Sequence, residues 1–199
     1  QQFSRCFDYG RIKSKVWYLP ILFLMPLLMA LEYTVMKLTG MPVPDPQFTF
    51  IALPAFFILF FVGGVGEKIG WTGYATDPLQ ARRTALEASI ILGIIWAIWH
   101  AIPYIQGHNA PLWILGQCEA AVMLRVLIVW IYNNTGKSLF AAIAFHASVN
   151  LSELVLFPIY GSYYDPIIAF FLLAVTAVAV VILWGPKTLA DYRYARSKA

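Results

Sequence analysis

The sequence predicts an all-α, polytopic membrane protein, a bundle of about six transmembrane helices. Hydrophobic residues make up 60% of the chain and charged residues only 12%, and the mean hydropathy is +0.70. Soluble domains are roughly half apolar and a quarter charged, so the chain lies well outside their range. Its 199 residues accommodate about six spans of ~20 residues with short loops. We expect a single transmembrane domain over residues 1–199.

The apolar runs give the expected order of the spans. They are predicted at residues 17–38, 48–77, 88–104, 112–132, 139–157 and 167–184. Proline and glycine between residues 40 and 46 mark the first turn, and Asp77-Pro78 marks the end of the second span. Residues 79–86 are expected to form a short interfacial helix before the third span.

Basic residues collect on one side of this predicted bundle. With six spans, nearly every lysine and arginine lies in the terminal segments or the loops on the same side as the termini; the main ones are Arg5, Arg11, Lys13, Lys15, Arg82, Arg83, Lys137, Lys187, Arg193, Arg196 and Lys198. The positive-inside rule then places both termini in the cytoplasm of a cell membrane. The net charge of +4 therefore reflects topology, and no nucleic-acid partner is expected.

A few ionisable and polar side chains interrupt the apolar segments. Glu67 follows the long apolar run of residues 48–65, His100 lies in the third span, and His146 and Asn150 lie four residues apart in the fifth. An ionisable group near the bilayer centre costs at least ~2.5 to 3.5 kcal/mol, so such residues usually face the bundle interior and serve a function. Residues four apart share a helix face. We expect these four side chains to form one site.

These residue types suit hydrolysis. A buried glutamate beside a histidine is a plausible general base for water, and histidine and asparagine supply donors for an oxyanion. Glu67, His100 and His146 would equally suit zinc with an open position, but the compact two-histidine helical zinc signature is absent. A mechanism without a cofactor is favoured, and a divalent metal such as zinc is the alternative. Simple interhelical hydrogen bonds are the structural alternative for each residue taken alone.

Three motifs in order resemble those of one protein family. Residues 67–74 (EKIGWTGY), 96–100 (WAIWH) and 146–150 (HASVN) are similar to the motifs of the CPBP family of CAAX proteases and bacteriocin-processing enzymes, also called ABI-type. The similarity covers about residues 16–156. It implies an intramembrane endopeptidase in which Glu67 and His100 activate water and His146 and Asn150 stabilise the oxyanion. The family's fold commonly has about eight spans, so one or two N-terminal helices would lie outside this chain.

Two positions depart from the family pattern. Lys68 stands where the family has a second glutamate, and Thr72 stands where an arginine closes the motif. The expected substrate is a peptide or membrane-protein segment in the lipid bilayer, reached by water through a cytoplasm-facing cavity. The alternative is a catalytically silent relative that acts as a membrane binding or immunity protein. A small transporter or channel is a third class, but residues 154–158 offer little polar path to the outer side.

Overall fold

A computed structural model describes residues 2–46, 50–190 and 192, and within these ranges all regular structure is helical. Six long helices form the bundle. We number them α1 (Tyr18–Leu38), α2 (Leu53–Lys68), α3 (Ala85–Gln106), α4 (Pro111–Asn134), α5 (Leu139–Leu151) and α6 (Pro166–Trp184). Short helices cover Gln2–Arg5 and Thr76–Gln80. Helices α2 and α5 each continue into a wider π-helical segment, Ile69–Tyr74 and Ser152–Leu156 respectively.

The predicted number of spans is confirmed, since six helical segments are long and apolar enough to cross a membrane. They run over Lys15–Leu38, Phe50–Gln80, Ala85–Gln106, Pro111–Asn134, Leu139–Leu156 and Pro166–Trp184. The chain is a multi-pass membrane protein. The predicted start of the second span at Phe48, and the basic residues Arg193, Arg196 and Lys198, lie outside the described residues.

The predicted interfacial helix at residues 79–86 is wrong. The short helix ends at Gln80, and Thr84 adopts an extended backbone with φ −63° and ψ 157°. Thr84 caps α3: its hydroxyl accepts the Glu87 N–H at 3.2 Å, while the Glu87 carboxylate accepts the Thr84 N–H at 3.0 Å. This reciprocal capping box satisfies two helix-end donors only if the chain leaves helical geometry at Thr84.

The N-terminal segment seals one end of the bundle. Asp8 accepts hydrogen bonds from the Ser138 hydroxyl at 2.7 Å and from the N–H groups at the start of α5. Arg5 donates to the Tyr132 hydroxyl at 2.8 Å, and Lys137 pairs with Asp77 at 2.9 Å. We call this end the terminus end, because the segment after α6 also packs here through bonds to its backbone carbonyls. Among the described residues, most lysines and arginines lie at this end, and Lys37 lies at the opposite one.

Helix α4 lies at the centre, packed against α3 on one side and α6 on another, while α2 packs on α5. The α3–α4 approach depends on Gly93. A Cβ built there would lie 3.0 Å from the Val122 backbone and 3.2 Å from the Arg125 side chain. The absent side chain lets the two backbones come together, as small residues commonly do between membrane helices.

Gly93→Ala should therefore destabilise the protein by about 1–3 kcal/mol, because the added methyl group overpacks a close helix contact. Gly63→Ala is the matched control, since a Cβ at Gly63 meets nothing within 4 Å. Alanine there should be neutral or stabilising by up to about 1 kcal/mol through helix propensity. Thermal unfolding of both variants in detergent checks the pair, and equal shifts would contradict the close contact.

Candidate active site

Glu67 lies in the last turn of α2, directly before the π-helical segment, with 17% of its side chain exposed. One carboxylate oxygen accepts from the Lys68 ammonium at 2.7 Å. The other lies 3.6 Å from Nε2 of His146. Asn150 reaches the same His146 nitrogen through its side-chain amide at 3.3 Å. Three of the four predicted site residues are therefore in direct contact.

His100 joins the site from α3. Its Nδ1 lies 3.0 Å from the Trp96 carbonyl oxygen one turn earlier. A carbonyl only accepts, so Nδ1 carries the proton and Nε2 keeps a free lone pair. The ring stands edge-on to Trp96 and Trp99, with centroids 4.9 and 4.7 Å away. These indoles fix the ring while leaving Nε2 able to accept a proton.

A cavity of about 230 Å³ joins these groups. His100, His146 and Asn150 line it, and Glu67 contacts the lining residue His146 without lining the cavity itself. The structure thus brings the four predicted side chains to one place, while their catalytic roles stay predictions. His100 also lines a lateral groove on α3 with Trp99, Ile102 and Pro103.

The cavity does not open toward the terminus end, the side on which the cytoplasm is expected. The cavity extends from the histidines along the later part of α5 to Ile159 and Tyr160, away from the terminus end. The space on the terminus side is filled by Lys68, Thr72, Thr76 and Arg125, each 0% exposed. With the termini in the cytoplasm, this cavity would face the other side of the membrane.

Arg125 is the main feature that the sequence did not reveal. Its guanidinium donates from α4 to the Trp71 carbonyl and to the Thr72 and Thr76 hydroxyls, the latter two at 3.4 Å. Among the described residues, Arg125 forms no ion pair with Glu119 or Glu153. Arg125 therefore brings a guanidinium to Thr72, the position where the family motif carries its own arginine.

Lys68 is held in an unusual setting for a lysine. Its side chain is 0% exposed, and its ammonium lies 4.5 Å from the centre of the Trp96 ring as well as 2.7 Å from Glu67. A cation over an indole face is attracted by the ring quadrupole. Trp96 also lies 6.1 Å from the His146 ring. Trp96 therefore contacts Lys68, His100 and His146. The sequence could have suggested this role, because Trp96 lies four residues before His100 and so shares its helix face.

The alternative zinc site does not fit these residues as they stand. In residues 2–46, 50–190 and 192, no three histidine, cysteine, aspartate or glutamate side chains lie close enough to hold a metal ion. One oxygen of Glu67 is engaged by Lys68, and Nε2 of His146 is engaged by Asn150. A zinc ion bound to Nε2 of His146 would have to displace the contact with Asn150.

Comparison with known proteins identifies the class to which this fold and site belong. The family model of type II CAAX prenyl endopeptidase Rce1-like proteins matches residues 49–152, which hold all four site residues. The chain belongs to this family of membrane-embedded peptide hydrolases. It is similar to the CAAX prenyl protease 2 of Methanococcus maripaludis, with 33% identity over 113 residues. The match covers 52% of this chain and 41% of that relative's length.

Proposed function

We propose that the protein is an intramembrane endopeptidase that hydrolyses a peptide bond of a membrane-associated substrate. The proposal rests on one observation: Glu67 and Asn150 both contact Nε2 of His146. His146, Asn150 and His100 line the same cavity. A carboxylate, a free imidazole lone pair and an amide donor are the groups that general-base hydrolysis needs. The family match supports the same activity.

In the proposed mechanism, a water molecule lies between Glu67 and Nε2 of His100. Glu67 takes one proton as the water oxygen attacks the peptide carbonyl carbon, and His100 accepts a hydrogen bond from the other O–H. The negative oxygen of the tetrahedral intermediate receives donors from Asn150 and His146. The C–N bond then breaks as Glu67 returns the proton to the leaving nitrogen, which gives a carboxylic acid and an amine. The acid then passes its remaining proton to solvent and becomes a carboxylate.

Lys68 and Arg125 support this arrangement from the terminus side. Lys68 offsets the charge of Glu67 and fixes one of its oxygens, which leaves the second oxygen for water. Arg125 ties the π-helical segment after Glu67 to α4. The lateral groove beside His100 gives a substrate anchored in the bilayer a short path to the catalytic groups.

Cleavage of a broad peptide library by the purified protein in liposomes tests the proposal, with and without a chelator. The wild type should cleave a subset of peptides, and a variant carrying both Glu67→Gln and His146→Gln should cleave none. Cleavage that survives the chelator supports the metal-free mechanism, and sensitivity to the chelator would require a zinc mechanism. Equal cleavage by wild type and variant would assign the activity to a contaminant.

A catalytically silent, partner-binding protein is the second candidate, because the Lys68 ammonium occupies one oxygen of Glu67. Lys68→Glu separates the two candidates. Thr72 needs no change in this test, since Arg125 already reaches that position. Cleavage gained by Lys68→Glu from a wild type that cleaves nothing would favour the silent protein.

A further inference from the structure

The cavity has a second polar end that the proposed mechanism does not use. Glu153 lies seven residues after His146, in the π-helical segment that follows α5. Its carboxylate faces the cavity together with Tyr104, Gln117 and Tyr160, while alanine, leucine and valine side chains line the middle. The catalytic groups and Glu153 thus occupy opposite ends of one space.

Glu153 lacks a counter-charge. Within the described residues, its carboxylate has no hydrogen bond or ion pair, and the residues that line the cavity include no lysine or arginine. Glu32, 1% exposed, lines a small adjoining cavity with Glu153, and its carboxylate accepts only the Asp165 N–H at 2.7 Å. Lys37, the basic residue at this end of the described chain, pairs with Asp45. Glu32 is buried and Glu153 is partly buried. Carboxylates in an apolar interior are stabilised by a partner, so this end is complementary to a cation.

Aromatic rings surround the same end. The Trp113 ring lies edge-on to Tyr104 at 5.2 Å and stacks on Tyr160 at 5.7 Å between centroids. Tyr164 approaches Trp113 at 6.4 Å, and its hydroxyl donates to Gln117. Aromatic faces beside a carboxylate attract ammonium groups through the ring quadrupoles. The combination favours an organic amine over an inorganic ion, because the carboxylate supplies charge and the rings supply apolar contact.

We propose that Glu153, Tyr104 and Tyr160 form a subsite for a protonated amino group of the peptide substrate. The subsite rests on the proposed function, whose substrate would span the cavity. Seven residues of helix separate His146 and Glu153 by ~10 Å, which is the length of about three residues of extended peptide. The ammonium group is therefore a lysine side chain within about three residues of the scissile bond, or a peptide α-amino group at that distance.

Binding to an inactive protein tests the subsite without cleavage. The host carries Glu67→Gln and Lys68→Met together, so that neither member of the buried ion pair is left alone. Affinity is measured for a fluorescent peptide with lysine at one position, scanned along the chain, and for its norleucine analogue. A second pair, with a free or an acetylated N-terminus, tests whether a peptide α-amino group is the ligand. An ammonium group should tighten binding by about 10- to 100-fold in one of these pairs, the usual value of a hydrogen bond to a charged group.

Glu153→Gln in the same host should remove the preference for the ammonium group. Glu119→Gln is the matched control, because it removes a carboxylate from α4 that does not line the cavity. Tyr160→Leu gives a second variant on a side chain that is 65% exposed, so folding is not at risk, and it should reduce the preference by about 2- to 10-fold through the lost cation–π contact.

The outcomes separate the subsite from the proposed function. Equal affinity for charged and neutral peptides, no binding of either, or a preference that survives Glu153→Gln would overturn the subsite. A wild type that cleaves peptides under any of these results would leave the endopeptidase proposal intact. A preference that depends on Glu153 in a protein that never cleaves would keep the subsite and overturn the catalytic proposal.

Discussion

Glu67→Gln should lower the rate of peptide cleavage by about 10²- to 10⁴-fold, the usual contribution of a positioned general base. The substitution keeps the shape of the side chain and removes its ability to take a proton from water. Initial rates in liposomes, at equal amounts of folded protein, give the measurement. Glutamine has nearly the same volume as glutamate, so the packing around the side chain and its contact with His146 should be kept while the basicity is lost.

Folding must be controlled in this comparison, since Glu67→Gln leaves the Lys68 ammonium buried without its counter-ion. The double variant Glu67→Gln and Lys68→Met removes both charges and should be equally inactive with near wild-type stability. Glu119→Gln, which changes a carboxylate outside the site, should keep full activity. A Glu67→Gln protein that retains activity within about threefold of the wild type would rule out Glu67 as the base.

Lys68→Met should destabilise the protein by about 3–5 kcal/mol, because it leaves Glu67 charged and unpaired in the bundle interior. The ion pair is 2.7 Å long, and the lysine side chain is 0% exposed. Chemical or thermal unfolding in detergent gives the measurement. Methionine fills most of the lysine volume, so the expected loss reflects the missing charge and not a cavity.

Two further variants check this prediction: one in a surface ion pair, and a double variant that removes both charges of the buried pair. Lys37 pairs with Asp45 at 3.1 Å, but these side chains are 41% and 93% exposed, so Lys37→Met should leave the stability nearly unchanged. Adding Glu67→Gln to Lys68→Met should restore most of the lost stability, since breaking a buried pair costs more than removing it. Similar losses for Lys37→Met and Lys68→Met, or no rescue, would refute the buried pair.

The sequence predicted the spans well because their signal is length and hydropathy. Each predicted span overlaps an observed one, with ends that differ by a few residues. The convergence of Glu67, His146 and Asn150 was also predictable, because polar groups in apolar helices must face a protein interior. The same argument placed His100 with them.

The direction of the cavity and the place of Arg125 could not be predicted in the same way. Many side chains that face outward on α2 and α6 are as apolar as those of the core, for example Ile58 and Val175 at 63% and 69% exposed. Hydropathy therefore does not determine how such a helix is rotated about its axis. An arginine inside an apolar span would be expected to pair with a carboxylate, but the contacts of Arg125 are a backbone carbonyl and two threonine hydroxyls. The acceptors lie in and just after the π-helical segment, which the sequence did not predict.

The two π-helical segments separate the site residues from the chain that follows them. A π turn holds more residues than an α turn, so each motif helix resembles an α-helix that has gained one residue just beyond its candidate site residues. Such a gain rotates everything after it by about 100° and leaves everything before it in place. The site residues before each segment would thus keep their places if the chain after Tyr74 or after Leu156 changed its direction. Insertions or deletions in these two segments would therefore change the residues that line the far part of the cavity, while the site residues before the segments keep their places.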